Sequence, residues 1–330
     1  MSKVSILMPA YNAGKYICAA IRSVQAQTHT DWTLHILDDG SSDNTADICR
    51  HMLESDSRIR YYHQENQGLI LGRQKLLTYV DGDFFMFMDS DDLLHPMALE
   101  MLLSVMSQDQ SIEVVITEDV QRVSKRFAIG VDKTPIKLEK LSYRTMSGRE
   151  MVSNSLGYPD NHPQYAAGLS GKLFRKGLSM LDFGSLPILF LGEDTCFSAV
   201  LFYHAARIAI TNTKIYFYRS GGGSSRYYER LPKDIANLYA WRKNFISTYG
   251  LGERRLRSTA INVLDVFRAQ AEGAAFDGKE VYRELKELIL DAEKLGVSIP
   301  FAVHQECIEK IPVIKEPVVV RLKRAVLRYL

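Results

Sequence analysis

The chain is poor in the features that mark specialised classes. Its four cysteines, Cys18, Cys49, Cys196 and Cys307, form no Cys-x-x-Cys pair. That argues against a zinc site or a disulfide framework and fits a reducing compartment. Charge of one sign is also missing: 41 Lys+Arg stand against 39 Asp+Glu. No chain-wide positive field exists, and nucleic acid is not an expected partner. No stretch approaches the roughly 20 apolar residues that span a bilayer. The first apolar run, Val4 to Met8, turns polar after Pro9 and does not read as a signal peptide. The expectation is a chain that does not cross a membrane and works in the cytoplasm. There is no Gly-x-Gly-x-x-Gly after the first strand, which disfavours a dinucleotide dehydrogenase. A phosphate-binding Gly-x-x-x-x-Gly-Lys-Ser/Thr loop is absent too, since Gly221 to Gly223 lacks the lysine. The eight histidines show no metal-ligand spacing, and His95, just before Pro96, is expected to serve its loop.

What is present is an ordinary globular composition, 46% hydrophobic and 24% charged, over 330 residues. That length suits two lobes or one domain with an extension. Strand and helix signals alternate along the first hundred residues. Val4 to Met8 reads as a buried strand, and Ile17, Ala20, Ile21 and Val24 recur at helical spacing. Strands are predicted at Thr33–Leu37, Ile59–Tyr62, Phe84–Met88 and Val114–Thr117, with a helix capped by Ser42 or Asp43 and reaching about Ser55. Further helices are predicted over Leu69–Val80 and Met97–Ser107. Such alternation predicts a mostly parallel sheet flanked by helices. Lys125 to Ser147 reads as irregular. A helix over Asp194–Ala206 and strands at Ile208–Ile210 and Ile215–Tyr218 follow. Three helices, Lys233–Tyr249, Glu253–Glu272 and Lys279–Lys294, fill most of the remainder.

Ligands of an open parallel sheet bind beyond the carboxyl ends of its strands. Three polar clusters fall there: Pro9-Ala10-Tyr11-Asn12, Asp38-Asp39-Gly40-Ser41 and Asp89-Ser90-Asp91-Asp92. In the third, three carboxylates crowd into four residues. Like charges some 4–6 Å apart repel by about 1–4 kcal/mol each. Solvent relieves that repulsion, and so does a hard divalent cation with oxygen ligands. A solvated acidic turn at the head of a helix is the plain alternative.

These motifs, with Asn66-Gln67-Gly68 and Arg73, resemble the family 2 glycosyltransferases of the GT-A fold in order and spacing. The resemblance is dense to about residue 100 and thinner to about 225. It implies a metal-dependent, inverting transfer of sugar from a nucleotide donor, a UDP-sugar, to a glycan or lipid-linked acceptor. It implies that Tyr11 and Asp39 hold the base, with Asn12, Asp38 and Ser90 beside them and Pro9 contributing through its backbone. Arg73 would reach the base or the phosphates. Asp89 would contact the ribose or a metal-bound water, Asp91 would bind Mn²⁺ or Mg²⁺ directly, and Asp92 would support it.

An in-line displacement also needs a carboxylate to take the acceptor proton. The family places a Glu-Asp pair where Glu193 and Asp194 stand, so Asp194 is the implied base and Glu193 the fallback. By themselves the two acids also suit the first turn of a helix. Gly171-Lys172-Leu173-Phe174 resembles the segment before the base, with Lys172 bracing the site or meeting phosphate. Tyr218-Arg219, the glycine run and Ser224-Ser225 resemble the closing segment, with Arg219 or Ser224 reaching the diphosphate; a plain flexible linker is the alternative there.

The expected layout is a GT-A catalytic domain over 1–225, split into a nucleotide-sugar half (1–117) and an acceptor half (118–225). A helical region over 226–330 follows. It ends in a basic amphipathic segment, 317–330, with Arg321, Lys323, Arg324 and Arg328 among apolar residues. Such a segment suits an anionic membrane surface, at the inner face of the membrane, or a dock on protein. The implied setting is synthesis of capsule, lipopolysaccharide or a similar surface polymer. Two rival readings are a sugar-phosphate nucleotidyltransferase and an inactive nucleotide-binding scaffold. The first would want a glycine-rich basic loop after the first strand, where only Gly14 and Lys15 stand.

Overall fold

A computed structural model describes residues 2–117, 120–123, 136–138, 141–156, 168–184, 186–189, 192–219, 230–271 and 278–297. The chain divides into two compact units. The first comprises Met1–Val152, Pro163–Ser185 and Phe197–Gly222; the second comprises Ser153–His162, Leu186–Cys196 and Gly223–Leu330. This division differs from a break at 225, because the segment that carries Glu193 and Asp194 groups with the second unit.

The first unit is built on an eight-stranded sheet of order β3-β2-β1-β4-β9-β6-β10-β8. Its left half is β1 (Val4–Ala10), β2 (Trp32–Asp39), β3 (Ile59–Gln64) and β4 (Phe84–Phe87), all parallel. Every residue of β1, β2 and β4 is buried, as in strands covered on both faces, including the polar Thr33, His35, Asp38 and Asp39 of β2. Helix α1 (Ile17–Gln25) buries Ile17, Ala20, Ile21 and Val24, the predicted stripe. Helix α2 (Thr45–Ser55) begins after Asn44, later than predicted. The Asp43 side chain holds that start: one carboxylate oxygen accepts the N–H of Thr45, the first helical residue, at 3.0 Å, and the other the Gly14 N–H at 2.9 Å. Helix α3 (Leu69–Leu77) ends three residues short of Val80. Helix α4 (Ala98–Ser107) buries Leu99, Met101, Leu102, Val105 and Met106 in the core that β1, β2 and β4 share.

The right half holds the departures from the expected pattern. Strand β9 (Leu173–Arg175) inserts antiparallel between β4 and β6 (Ile112–Thr117), and β8 (Tyr143–Met146) adds antiparallel to β10 (Arg207–Thr211). Neither was predicted. A second sheet of three strands, β5 (Leu93–Leu94), β11 (Tyr216–Arg219) and β7 (Val120–Val123), was not predicted as a sheet either. Strands this short carry too few residues for a period to register. Helix α5 spans Gly148–Ser155 and α6 Glu193–His204.

The second unit contains α7 (Leu231–Thr248), α8 (Glu253–Ala271) and α9 (Gly278–Lys294), close to their predicted bounds. Leu238 and Phe245 of α7, Val263 and Leu264 of α8 and Leu285 and Leu288 of α9 are all buried. Lys243 reaches Asp291 at 2.6 Å and Glu287 at 2.8 Å, and Tyr239 donates its hydroxyl to Asp291 at 3.0 Å.

Candidate active site

Register places the polar clusters on one edge. Ala10 of β1 lies opposite Asp38 of β2, and Leu7 lies opposite Phe87 of β4. The loops after β1, β2 and β4 therefore leave the sheet side by side. Pro9 causes no loss there. The Leu7 carbonyl accepts the Met88 N–H at 3.0 Å, so the nitrogen of Pro9, two residues on, faces the β4 side where strand pairing has ended.

The first two loops lace together. Asn12, in a left-handed conformation at φ 49°, accepts the Ser42 N–H at 2.9 Å through its side chain. Its own N–H donates to the Ser41 hydroxyl at 2.9 Å. Tyr11 stands 55% exposed beside this lacing. Asp38 turns inward and is fully buried, with Oδ1 accepting the Ser41 N–H at 2.9 Å and Oδ2 the Tyr61 hydroxyl at 2.7 Å. Burial pushes its carboxyl up, but hydrogen bonds from Ser41, Tyr61 and His63 outweigh that and hold it below the ordinary carboxylate value. Asp38 thus fastens the end of β2 rather than presenting itself to a ligand.

Asp39 also has partners within the chain. Its Oδ1 accepts from Gln64 Nε2 at 2.7 Å and the Gln67 N–H at 2.9 Å, and its Oδ2 accepts the Gly68 N–H at 2.8 Å. Gly40, at φ 78°, makes this approach possible: a Cβ there would lie 2.9 Å from the Asn66 nitrogen. A carboxylate has about four acceptor positions, so one stays open for a further N–H.

The acid loop is held from three directions. Arg73 of α3 is buried and its guanidinium meets Asp89 Oδ1 at 3.4 Å, while the Ser170 hydroxyl donates to Asp89 Oδ2 at 2.9 Å. The Asp89 N–H donates to the Tyr216 hydroxyl at 3.1 Å. Asp92 is fully buried, and its Oδ1 accepts the Arg219 N–H at 2.8 Å. Burial, then the charges of Asp89 and Asp91, push the Asp92 carboxyl up to about 8. Asp91 and Ser90 are half-buried between these anchors. Burial raises the Asp91 carboxyl above its ordinary value, against the lowering effect of the Arg219 charge. His95 serves its loop as expected, with Nδ1 accepting the Met97 N–H at 3.1 Å.

In the second unit, Glu193 and Asp194 form the first turn of α6, where the helix dipole favours acids. Gly192 precedes them at φ 86°, and its carbonyl accepts the Thr195 N–H at 3.2 Å.

Residues 5–166 match the family described as Glycosyl transferase family 2. The chain is a family 2 glycosyltransferase. Its sequence is 25% identical to the glycosyltransferase GlyG of Streptococcus pneumoniae over 303 residues, 88% of this chain and 97% of that protein. Over 105 residues it is 46% identical to the Escherichia coli UDP-Glc:alpha-D-GlcNAc-diphosphoundecaprenol beta-1,3-glucosyltransferase WfgD, 31% of this chain and 40% of that one. The fold matches the crystal structure of S. aureus TarS 1–349 in complex with UDP-GlcNAc at a TM-score of 0.56, 19% identity and coverage of 89% and 90% of the two chains. The mostly parallel sheet with its flanking helices is GT-A-like, and the chain carries C-terminal helices after it.

The glycosyltransferase therefore gathers Pro9, Tyr11, Asn12, Asp39, Arg73, Asp89, Ser90 and Asp91 at one sheet edge, with Asp38 and Asp92 turned inward beneath them. Lys172 is buried, and its ammonium donates to the Gly168 carbonyl. Arg219 is buried against the acid loop rather than extended from it. Ser224 and the segment 317–330 lie outside the described residues. Among the described residues, no helix is long and apolar enough to cross a membrane. Ser170, Tyr216 and Gln64 also hold the site, outside the motifs that mark it in the sequence. Ser170 adjoins the Gly171-Lys172 motif, which was a usable signal. Tyr216 had none, because its place under Asp89 depends on β11 pairing with β5.

Proposed function

We propose that this glycosyltransferase is an inverting, divalent-cation-dependent enzyme that moves a sugar from a UDP-sugar to a hydroxyl of a glycan or lipid-linked acceptor. One observation carries the reading: the half-buried Asp91 carboxylate, on the sheet edge that also bears Tyr11 and Asp39, has no ion-pair partner among the described residues. WfgD is named for a UDP-glucose donor and a diphosphoundecaprenol-linked acceptor, and the TarS structure holds UDP-GlcNAc. Both favour a UDP-sugar here. A lipid-linked acceptor of the kind WfgD is named for would put the reaction at a membrane surface, in the making of a surface polymer, and the basic segment 317–330 would approach that surface.

The donor set fits a hard cation. An ionised Asp91 in partial burial has no ion-pair partner among the described residues, only the charge of Arg219 nearby, and a divalent cation would neutralise it directly. No cluster of three or more His, Cys, Asp or Glu side chains is placed to hold a metal among the described residues. Mg²⁺ and Mn²⁺ suit that sparseness, since they take one or two carboxylates and complete their shell with phosphate oxygens and water. Asp91 with Asp89 would hold the ion, and Asp92, engaged by Arg219, would stiffen the loop. When bound, the cation would act as a Lewis acid toward the leaving diphosphate.

The chain's own residues do the rest. Tyr11 stacks on the base, and the open acceptor position of Asp39 takes a base N–H. Arg73 keeps Asp89 oriented, while Lys172 and Ser224 favour the negative charge of the diphosphate. The acceptor oxygen bonds to the anomeric carbon as the bond from that carbon to the diphosphate oxygen breaks. Asp194 accepts the hydroxyl proton, with Glu193 as a contact for the acceptor, and UDP departs. The test is a panel of UDP-, GDP-, CMP- and dTDP-sugars incubated with Mn²⁺ or with EDTA. Nucleotide release should occur only with metal and chiefly from a UDP-sugar. Equal release in EDTA, or release from a different nucleotide alone, would overturn the corresponding part of the reading.

A further inference from the structure

Arg219 ends β11, and its side chain is 3% exposed. Besides the main-chain bond to Asp92, its Nε donates to the main-chain carbonyl of Asp91 at 2.6 Å. Its guanidinium lies 4.7 Å from the centroid of the Tyr16 ring, a cation–π distance. Tyr16 precedes α1, on the loop from β1 that carries Tyr11 and Asn12. The guanidinium makes no ion pair with a carboxylate among the described residues. Its hydrogen bond goes to a peptide oxygen. One side chain thus joins the acid loop to the loop after β1.

The geometry of the acid loop follows from this. Tyr216 fixes the Asp89 N–H, and Arg219 fixes the peptide plane between Asp91 and Asp92. With both ends tied, the Cα–Cβ direction of Asp91 is set and only its side-chain torsions stay free. Loss of an outer partner that orients a ligand typically costs a metal site about 10–100-fold in affinity.

We propose that Arg219 is a positioning residue for the cation-binding carboxylate Asp91. It acts through the Asp91 carbonyl and is braced by Tyr16. This rests on the reading of Asp91 as the direct cation ligand. Cation affinity then depends on a side chain that does not touch the cation.

The experiment is a Mn²⁺ titration of the full chain, followed by the paramagnetic resonance signal of free Mn²⁺, with and without UDP. Variants are R219A, R219K, Y16L and D91N, each checked for native circular dichroism. R219A should weaken Mn²⁺ binding by about tenfold or more, the usual effect of removing an outer partner. R219K, which keeps the charge but loses the planar fork, should fall between R219A and the parent. Y16L should weaken binding by a smaller factor. UDP binding in EDTA should be unchanged in Y16L. Parent-like Mn²⁺ affinity in R219A, with D91N defective, would overturn the positioning role alone. Parent-like affinity in D91N would remove the cation reading beneath it. If R219A loses UDP affinity in EDTA and keeps its Mn²⁺ affinity, Arg219 is a direct diphosphate contact and the proposal fails. Should R219A not fold, Y16L decides, and parent-like Mn²⁺ affinity there overturns the idea.

Discussion

The main-chain N–H of Arg219 donates to the carboxylate of Asp92 at 2.8 Å, across 127 residues of sequence. The bond separates two neighbouring acids by role. Asp92 faces inward to β11, and Asp91 is left half-buried at the sheet edge. Asp92→Asn keeps an acceptor for Arg219 and should retain Mn²⁺ affinity within a few-fold. Asp91→Asn should lose it by at least about tenfold, the loss expected when a site with so few ligands is depleted. Equal losses in isothermal titration would refute the division.

Asp194→Asn removes the proposed base without altering side-chain shape. The turnover number should fall by about 10²–10⁴, the usual weight of general-base catalysis. UDP-sugar binding, followed by calorimetry with Mn²⁺, should persist. Normal transfer in this variant would move the base elsewhere, with Glu193 the next residue to substitute.

Asp39→Asn turns one acceptor oxygen into an NH₂ group facing main-chain N–H groups. Its Oδ1 takes two donors and its Oδ2 one, so either orientation of the amide sets donor against donor. A buried donor left unsatisfied costs about 1–3 kcal/mol. The urea midpoint should drop accordingly, and UDP affinity should fall with it. A loss of UDP affinity without any loss of stability would mean that Asp39 serves the nucleotide alone.

Gly171→Ala tests the turn beneath Asp89. Gly171 sits at φ 73°, and a Cβ would meet the Tyr216 ring at 2.9 Å. The left-handed strain alone costs about 1–2 kcal/mol, and displacing the ring would disturb the bond from Asp89 to the Tyr216 hydroxyl. Gly177→Ala is the control, because a Cβ there meets nothing within 4 Å. Thermal unfolding should separate the two variants clearly, and matched midpoints would refute the account.

His35 gives a pH dependence away from the site. It is buried on β2, with Nε2 at 3.4 Å from Asp81 and its ring stacked on Tyr62. Burial pulls its imidazole below the ordinary 6.5, against the raising effect of Asp81. The unfolded chain therefore binds a proton at a higher pH than the folded one. The stability this group contributes is present above about 6.5 and is lost as pH falls through the folded value. His35→Gln should flatten that acid-side slope in urea titrations. An unchanged slope would assign it to other groups.

The left half of the sheet and its ligand-bearing edge were legible in the order of the residues. Buried parallel strands are continuous apolar runs, and their helices carry a 3.6-residue stripe, so β1 to β4 and α1 to α4 could be read directly. Because all parallel strands point one way, the clusters after β1, β2 and β4 had to share an edge. The family motifs then named the chemistry. Tertiary structure alone decided what each acid in those clusters faces. Asp38 and Asp39 look equivalent in sequence, yet one fastens β2 to Tyr61 and the other caps the approach to α3. Asp91 and Asp92 differ because β11, paired to β5 from far along the chain, presents Arg219 to one carbonyl and one carboxylate. Short strands such as β5, β9 and β11 have no period to read, and they form only when distant segments complete their hydrogen bonds. That is why the loop's position was legible and the division of work among its acids was not.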